Sequence, residues 1–456
     1  MPQRGDPSQP PFELLVPTEN RPSSRRPFTP LPGEQQLIWV IWLTYGAFYF
    51  CRTNISAAVP GLQAPVGEGG MGFSGEEVGL ILASLKITYG LGQLVNGQLS
   101  ERVSPRLLLT FGMFGSAALN IVFGLGTGFY FLLFVWAMNG YGQSLGWTPC
   151  VRVVGNWIPP ERRGKAIGLI GTGYQLTAGL TYVVAGQAAD YLGWRGALYV
   201  PSVILVVGGV VMLLGLRESP DGHGSSRYAD RAEGSSELAG VGPLRPKTSL
   251  WENIVLTLSN RALWLLGISL GLLNACRYGF LDWGLAHLTE VQESGVGTAG
   301  LKYVVLPVGA IAGSYVAGWA TDRFFGSRRG PVICILLVGL GVLTIAYESV
   351  AQTSVIATVL LLGVIGFCIY GPQVLLVGTA PADLARRGTS AAAAGFVNFL
   401  GYMGAAVGDV VTGHYKMPEY GGWQVAIYIW AGWAFAAAVF AALLWNATAD
   451  ENEGHG

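Results

Sequence analysis

The chain has 456 residues, of which 51% are hydrophobic and only 12% are charged. In soluble globular proteins about a quarter of all residues are charged. The composition therefore excludes a soluble globular protein and predicts a polytopic membrane protein. Basic and acidic residues balance at 27 each, and a net charge of zero says nothing by itself about partners. All five cysteines fall in apolar segments, which indicates packing residues rather than a disulfide framework.

Apolar runs long enough to cross a hydrocarbon core, about 20 residues each, occur along most of the chain. The predicted spans are 37–60, 78–99, 106–125, 129–155, 163–189, 196–216, 260–288, 299–320, 331–349, 354–378, 388–414 and 423–446. The polar, Gly/Ser-rich stretch between the two sets of six is typical of a flexible linker. The predicted fold is therefore an all-α membrane protein with twelve transmembrane helices in two six-helix pseudo-symmetric halves.

The domain organisation follows from these spans and the polar segments around them. We expect a disordered cytoplasmic arm over 1–36, a first half over 37–217, a cytoplasmic linker over 218–250, a second half over 251–446 and a cytoplasmic tail over 447–456. A short interfacial helix could lead into the second half over 251–260.

Basic residues mark one side of the predicted membrane. They follow the even-numbered spans at Arg102, Arg106, Arg162, Arg163, Lys165, Arg217, Arg323, Arg328, Arg329, Arg386 and Arg387. Because cytoplasmic loops carry an excess of Lys and Arg, we expect both termini in the cytoplasm and the protein in the plasma (inner) membrane.

The first span, LIWVIWLTYGAFYFCRTNISAAVP, contains a full charge at Arg52. An arginine inside the bilayer costs several kcal/mol and cannot lose its proton, so it normally faces a protein interior or a wet cavity. Tyr45 and Tyr49 lie seven and three residues before it, which places the three side chains on one helix face. This face is typical of an anion site.

Landmarks of the first half recur in the second at nearly one offset, which indicates an internal duplication. The matching pairs are Cys51-Arg52 with Cys276-Arg277, Gly97, Glu101 and Arg102 with Gly318, Asp322 and Arg323, Pro149 with Pro372, and Arg163-Gly164 with Arg387-Gly388. Parallel repeats are related by an axis along the membrane normal, so equivalent residues lie at equal depth. We therefore expect Arg52 and Arg277 to converge on one midplane cavity.

Two guanidinium groups in one partly dehydrated cavity repel each other more strongly than in water. An anion with two charges and paired acceptor oxygens relieves this repulsion, and phosphate matches the bidentate fork of arginine. The predicted partners are a phosphate ester, inorganic phosphate and the lipid bilayer.

Several motifs carry a resemblance to a known family. The duplicated loops NGQLSER and AGWATDR resemble the major facilitator superfamily; YGAFYFCRTNISAAVP, NACRYGFLDW, GFSGEEVGLILASLKITYGLGQ, GWTPC and GFCIYGP resemble, more specifically, its organophosphate:phosphate antiporter family. That family includes bacterial glycerol-3-phosphate and hexose-phosphate transporters. The resemblance implies the major facilitator fold, binding of the phosphoryl group by Arg52 and Arg277, and tyrosines lining the cavity at Tyr45, Tyr49, Tyr89, Tyr370 and Tyr402.

The sequence also departs from that family, which leaves the organic part of the substrate open. Gln93 stands where bacterial members have a lysine, and Lys86, two turns earlier on the same helix face, could return a positive charge to the cavity. Tyr174 and Gln175 stand where glycerol-3-phosphate transporters have a histidine, and Asn274 where some members have a tyrosine. The candidate substrate-binding set is completed by Tyr278 and Asn398.

Several charged residues have an alternative interpretation. Arg52 and Arg277 could form structural ion pairs with a buried carboxylate, Asp282 or Asp409. Lys86 could instead snorkel to an outer interface. Asp282 could make a hydrogen bond that positions its helix. Asp409 could be a packing residue or a carboxylate that binds a transported proton. Glu101, Arg102, Asp322 and Arg323 are predicted to form charge networks that hold one conformational state.

The predicted function is secondary transport by alternating access, exchanging a phosphorylated organic metabolite for inorganic phosphate. No nucleotide-binding glycine loop, nucleophile elbow or metal-ligand spacing is found, so we expect no enzyme activity, no cofactor or metal and no nucleic-acid partner, and a monomer. Two alternatives remain: a membrane sensor that binds a sugar phosphate, and a proton-coupled symporter of another organic anion, for which Asp409 is the candidate proton-binding residue.

Overall fold

The computed structural model describes residues 32–220, 255–326, 328–384 and 390–445. Within these ranges every regular secondary-structure element is a helix, and turns or short loops join the helices. Most of the predicted arm, most of the linker and the tail lie outside the described residues. The interfacial helix predicted over 251–260 is described from residue 255, where a short helical turn precedes Asn260.

The first half begins with a broken helix and continues with longer ones. Its helices are α1 (Glu34–Phe48), α2 (Ile55–Gln63), α3 (Gly75–Arg102), α4 (Pro105–Leu125), α5 (Phe129–Ser144), α6 (Trp147–Trp157), α7 (Pro160–Leu192) and α8 (Gly196–Gly215). Capping explains the sharp starts: Ser74 forms a capping box with Glu77 at α3, and the Ser104 hydroxyl accepts from the third residue of α4. Proline occupies the first position of α4 and α7, where a missing N–H costs nothing.

The second half repeats this arrangement. Its helices are α9 (Arg261–Tyr278), α10 (Gly284–Val291), α11 (Val296–Tyr303), α12 (Val305–Phe324), α13 (Arg329–Thr353), α14 (Val355–Val374), α15 (Ala380–Leu384), α16 (Ser390–Tyr415) and α17 (Gly422–Ala442). Five-residue π-helical segments, Gly279–Trp283 and Leu375–Thr379, join α9 to α10 and α14 to α15.

Nine helical runs within the described ranges are long and apolar enough to cross a membrane. The predicted spans 1, 4 and 5 are not among them. Spans 1 and 4 are each broken into two helices, and α7 carries polar residues along its length. The count of twelve therefore stays a prediction, whereas the all-helical, multi-span class is confirmed.

Both arginines lie at a helix irregularity, which the sequence prediction of continuous spans missed. A 3-10 turn, Tyr49–Cys51, separates α1 from α2, and Arg52 follows it directly. Arg277 lies one residue from the end of α9, next to the π segment. Such interruptions free backbone groups and are frequent at functional sites.

The two halves contact each other where α3 packs against α16 and where α7 packs against α11 and α12. Glycines make the approach possible: a Cβ on Gly75 would overlap the carbonyl of Gly413, and one on Gly186 would lie 2.9 Å from the carbonyl oxygen of Val296. The two glycine contacts lie at the end of the bundle opposite to the start of α1. We call this end the far end.

Polar contacts also join the halves at the far end. His414 Nδ1 lies 2.5 Å from a carboxylate oxygen of Glu76, and Lys416 donates to the side chain of Gln63. Asp190 accepts a 3.0 Å hydrogen bond from the backbone N–H of Gly297, in the first turn of α11. The structure is therefore closed at the far end.

Candidate functional site

Arg52 is buried and held by groups of its own half. Its Nε donates to Gln143 Oε1 at 3.1 Å, and its terminal nitrogens donate to the Tyr49 hydroxyl at 3.3 Å and to the Gln143 carbonyl at 3.5 Å. The guanidinium also lies over the Tyr89 ring, 4.3 Å from its centroid. Cation–π contact of this kind holds an arginine without neutralising it.

A network of amide side chains holds the helix break that positions Arg52. The side-chain amide of Gln143 donates to the carbonyls of Phe48 and Cys51, and Asn120 and Asn139 also donate to the Cys51 carbonyl. These donors satisfy backbone groups that the interrupted helix leaves unpaired, which would otherwise cost about 1–3 kcal/mol each when buried. Gln143 therefore orients Arg52 and stabilises the backbone beneath it.

Arg277 has fewer partners. One terminal nitrogen donates to the Tyr370 hydroxyl at 3.1 Å and the other to Asn274 Oδ1 at 3.4 Å. The buried Nε has no hydrogen-bond partner among the residues that the structure describes. The rings of Tyr278 and Tyr370 each lie 4.8 Å from the guanidinium carbon. An unpartnered buried N–H is costly, so Arg277 retains a donor for a ligand.

One cavity is lined by both arginines, together with Tyr49, Lys86, Tyr278 and Asp282. It lies between the halves, with residues of α2 and α3 on one side and of α9 on the other. Neither arginine has a carboxylate within ion-pair distance among the described residues. The alternative of structural ion pairs between these arginines and Asp282 or Asp409 is therefore wrong.

Aromatic rings cover the wall beside Arg52. Tyr45 contacts Trp147 with 4.8 Å between ring centroids, and Tyr174 stacks on Tyr49 at 5.0 Å. Tyr89 and Tyr402, from opposite halves, lie 4.5 Å apart. Tyr49 and Tyr278 line the cavity itself, whereas the other predicted tyrosines lie in the aromatic shell around the two arginines, and their contact with substrate stays a prediction. Trp147 belongs to the same aromatic shell and was missed by the sequence reasoning.

Lys86 corrects the sequence interpretation. Its ammonium group lines the cavity, but it forms an ion pair with Asp282 and lies 2.7 Å from Asp409 Oδ2. All three side chains are at most 3% exposed. Lys86 therefore neither snorkels to an interface nor supplies a free charge, and Asp282 and Asp409 are ionic partners rather than helix-positioning or packing groups.

The remaining candidate residues divide by their contacts. Gln175 donates to Ser314 across the halves at 3.2 Å, and Asn274 accepts from Arg277. Gln93 and Asn398 are half-buried on α3 and α16. They stay candidates, since no contact recorded for the described residues gives them a role.

The predicted charge networks at the helix ends are only partly described. Asp322 pairs with Arg329 at 3.0 Å. Arg102 and Arg323 are exposed, and the side chain of Glu101 lies outside the described residues. The gating role of these four residues stays a prediction.

The contact between Gln143 and Arg52 leads to a prediction. Gln143→Glu places a carboxylate against the guanidinium and removes the N–H donors for the Phe48 and Cys51 carbonyls. We expect the dissociation constant for inorganic phosphate to rise about tenfold or more, a loss of about 1.4 kcal/mol. Calorimetric titration of the purified protein measures this, with the exposed Gln424→Glu as a control for the added charge. Unchanged affinity in Gln143→Glu would contradict the role given to Gln143.

Comparison with known proteins identifies the superfamily to which the chain belongs. A model of the Major Facilitator Superfamily matches residues 41–409, and the chain belongs to that superfamily. It is thus a multi-pass membrane transporter and not an enzyme. A solved bacterial homologue of the human lysosomal transporter Spinster, inward-facing and unoccupied, has a TM-score of 0.70 at 16% identity, covering 91% of this chain and 96% of that one. This likeness shows the fold.

Relatives of known description support the resemblance to the organophosphate:phosphate antiporter family. The chain is 28% identical to a probable hexose phosphate transport protein of Chlamydia muridarum over 91% of both chains. It is 29% identical to the glycerol-3-phosphate transporter of Bacillus subtilis, covering 89% of this chain and 91% of that one. It is also 29% identical to the membrane sensor protein UhpC of Escherichia coli, covering 82% and 84%. The expected superfamily is confirmed, and these relatives are consistent with the expected antiporter family within it.

Proposed function

We propose that the protein exchanges a phosphorylated organic metabolite for inorganic phosphate across the membrane. The observation that carries this proposal is the pair Arg52 and Arg277, one from each half, on a single cavity and without a carboxylate partner among the described residues. Relatives are described as transporters of hexose phosphate and glycerol 3-phosphate, which supports the same substrate class. The remaining candidate residues surround this pair and would contact the organic part.

The charges of the cavity explain why exchange would be obligatory. Arg52, Arg277 and Lys86 contribute three positive charges, against two negative charges on Asp282 and Asp409. An empty cavity therefore carries one excess positive charge, and enclosing it away from water costs several kcal/mol. A bound monoanion, or a dianion that binds together with one proton, cancels this excess and lowers the barrier for the halves to rock. Return requires another anion in the same place.

The closed far end sets the direction of access. Contacts between the halves join α3 to α16 and α7 to α11 there, so a ligand would enter from the end where α1 begins. We propose that this end, with both termini and the linker, faces the cytoplasm of a plasma (inner) membrane. The protein would work as a monomer, since both phosphate-binding arginines come from one chain.

A sensor function is a second candidate, since one relative is described as a membrane sensor protein. The same two arginines would then bind a phosphate ester without moving it. Counterflow separates the two functions: proteoliposomes loaded with unlabelled phosphate are diluted into labelled phosphate. A transporter accumulates label transiently inside the vesicles, whereas a sensor that does not transport accumulates none. Absence of counterflow in protein that still binds phosphate would overturn the transport proposal in favour of the sensor.

A further inference from the structure

Lys86, Asp282 and Asp409 form a buried cluster that spans the two halves. Lys86 comes from α3, Asp282 from the π segment after α9, and Asp409 from α16. Lys86 contacts both carboxylates, and its ammonium group lies 4.9 Å from the centre of the Tyr278 ring. We call these three residues the triad.

The triad has one more negative charge than positive charges when all three groups are ionised. Among the described residues, Asp409 Oδ1 is buried and has no cationic partner: Lys86 lies against Oδ2, and the neutral indole N–H of Trp283 is a donor beside the carboxylate. The excess negative charge is therefore not balanced within the triad. Burying an uncompensated charge costs several kcal/mol. Something nearby must therefore balance it.

The groups that face Asp409 can be named for each helix packed on α16. These are Lys86 on α3, Asp282 and the Trp283 indole on the π segment, and Tyr278 on α9, whose ring faces the Lys86 ammonium group. Arg277 on α9 lines the cavity that Lys86 and Asp282 also line. Helix α17 contains no Asp, Glu, Lys, Arg or His, and α15 lies at the opposite end from the last turns of α16. Nearer the far end of α16, His414 is paired with Glu76. Of the cationic groups described in this part of the chain, the cavity arginines remain to balance the triad.

Binding of an anion changes this balance. Without an anion, the arginines on the same cavity offset the excess negative charge of the triad. A phosphate dianion binds to those arginines, and the net charge of the five groups together with the anion is then one negative instead of one positive. Asp409 Oδ1, which has no cationic partner among the described residues, can then accept a proton, and that proton restores neutrality.

We propose that the triad is a proton-binding site that takes up one proton when a phosphate dianion binds to Arg52 and Arg277, so that the two move together. The proton adds to Asp409 as a neutral carboxylic acid, and Lys86 keeps its ion pair with Asp282. No bond of the phosphate is broken. This inference rests on the proposed function, because it requires phosphate in the cavity.

Calorimetry counts the protons directly. Inorganic phosphate is titrated into the purified full chain at about pH 8.5, where the dianion predominates, in two buffers with different enthalpies of ionisation. The difference in measured heat gives the number of protons taken from the buffer. We expect about one proton per phosphate for the wild-type protein, since one charge must be offset.

Variants locate the proton. Asp409→Asn leaves Lys86 with one carboxylate, and we expect it to bind phosphate without taking up a proton. Asp409→Glu should restore the uptake, and the exposed Glu419→Gln should retain it. If Asp409→Asn does not fold, Asp282→Asn gives the same test, because either substitution removes the excess charge.

The outcomes separate this inference from the proposed function. Equal proton uptake in the wild-type protein and Asp409→Asn would mean that the proton travels on the phosphate, which overturns the assignment to the triad. Phosphate binding without any proton uptake in the wild-type protein overturns it as well. No binding of phosphate to the wild-type protein overturns the proposed function, and this inference with it.

Discussion

Replacing Arg277 by lysine should lower the rate of phosphate exchange at least about 100-fold while leaving the protein folded. A guanidinium can donate two parallel hydrogen bonds to one phosphate, whereas an ammonium is a point charge. Charge-assisted hydrogen bonds contribute about 1.5–3 kcal/mol each, and a loss of about 2.8 kcal/mol corresponds to a factor of 100. Initial rates of labelled-phosphate exchange in proteoliposomes measure the effect.

The same helix provides a matched control for this substitution. Arg261 begins α9 and is exposed, so Arg261→Lys should exchange at the wild-type rate. Arg52→Lys should lose exchange as Arg277→Lys does, because the proposed clamp needs one guanidinium from each half. Full exchange by Arg277→Lys in vesicles that hold a normal amount of protein would contradict the clamp.

A second large effect is expected from Gly413→Val at the far end. Gly413 and Gly75 approach so closely that a Cβ on either would overlap the carbonyl oxygen of the other. Valine there holds α3 and α16 apart, so the far end cannot close and the halves cannot alternate. We expect exchange to fall at least about tenfold, since misfit of this kind costs about 1–3 kcal/mol, and backbone amides at the start of α3 to exchange hydrogen faster.

The control for this glycine lies on another membrane helix. Gly432 on α17 is exposed, and a Cβ there would meet no atom within 4 Å. Gly432→Val should therefore transport normally and keep the wild-type pattern of hydrogen exchange. Wild-type transport by Gly413→Val would show that the closed far end is not a step of the cycle.

The convergence of Arg52 and Arg277 on one cavity could be predicted from the sequence, because an arginine within an apolar run must face a protein interior or a water-filled cavity rather than lipid. Their repetition in both halves then fixed their relative depth. The partners of Lys86 could not be predicted in this way. Asp282 and Asp409 are distant from it in sequence, and which carboxylate reaches it depends on how the halves pack.

The breaks in the first and fourth spans were also missed. Apolar periodicity continues through Arg52, and the amides that stabilise the break come from α4 and α5. A signal was present, since Asn120, Asn139 and Gln143 are polar residues within otherwise apolar runs. Such residues are costly in a membrane unless they have partners, so their presence in the apolar runs already indicates a buried polar network. In the fourth span, Gly146 and Pro149 marked the break between α5 and α6.

The central claim is that one phosphate is shared by two arginines, one from each half. An experimentally determined structure of the protein at saturating inorganic phosphate tests it most directly. The account predicts a phosphate in the cavity with oxygen atoms about 2.7–2.9 Å from guanidinium nitrogens of both Arg52 and Arg277. A phosphate bound to only one of them, or a cavity without phosphate while the anion binds elsewhere, would contradict it.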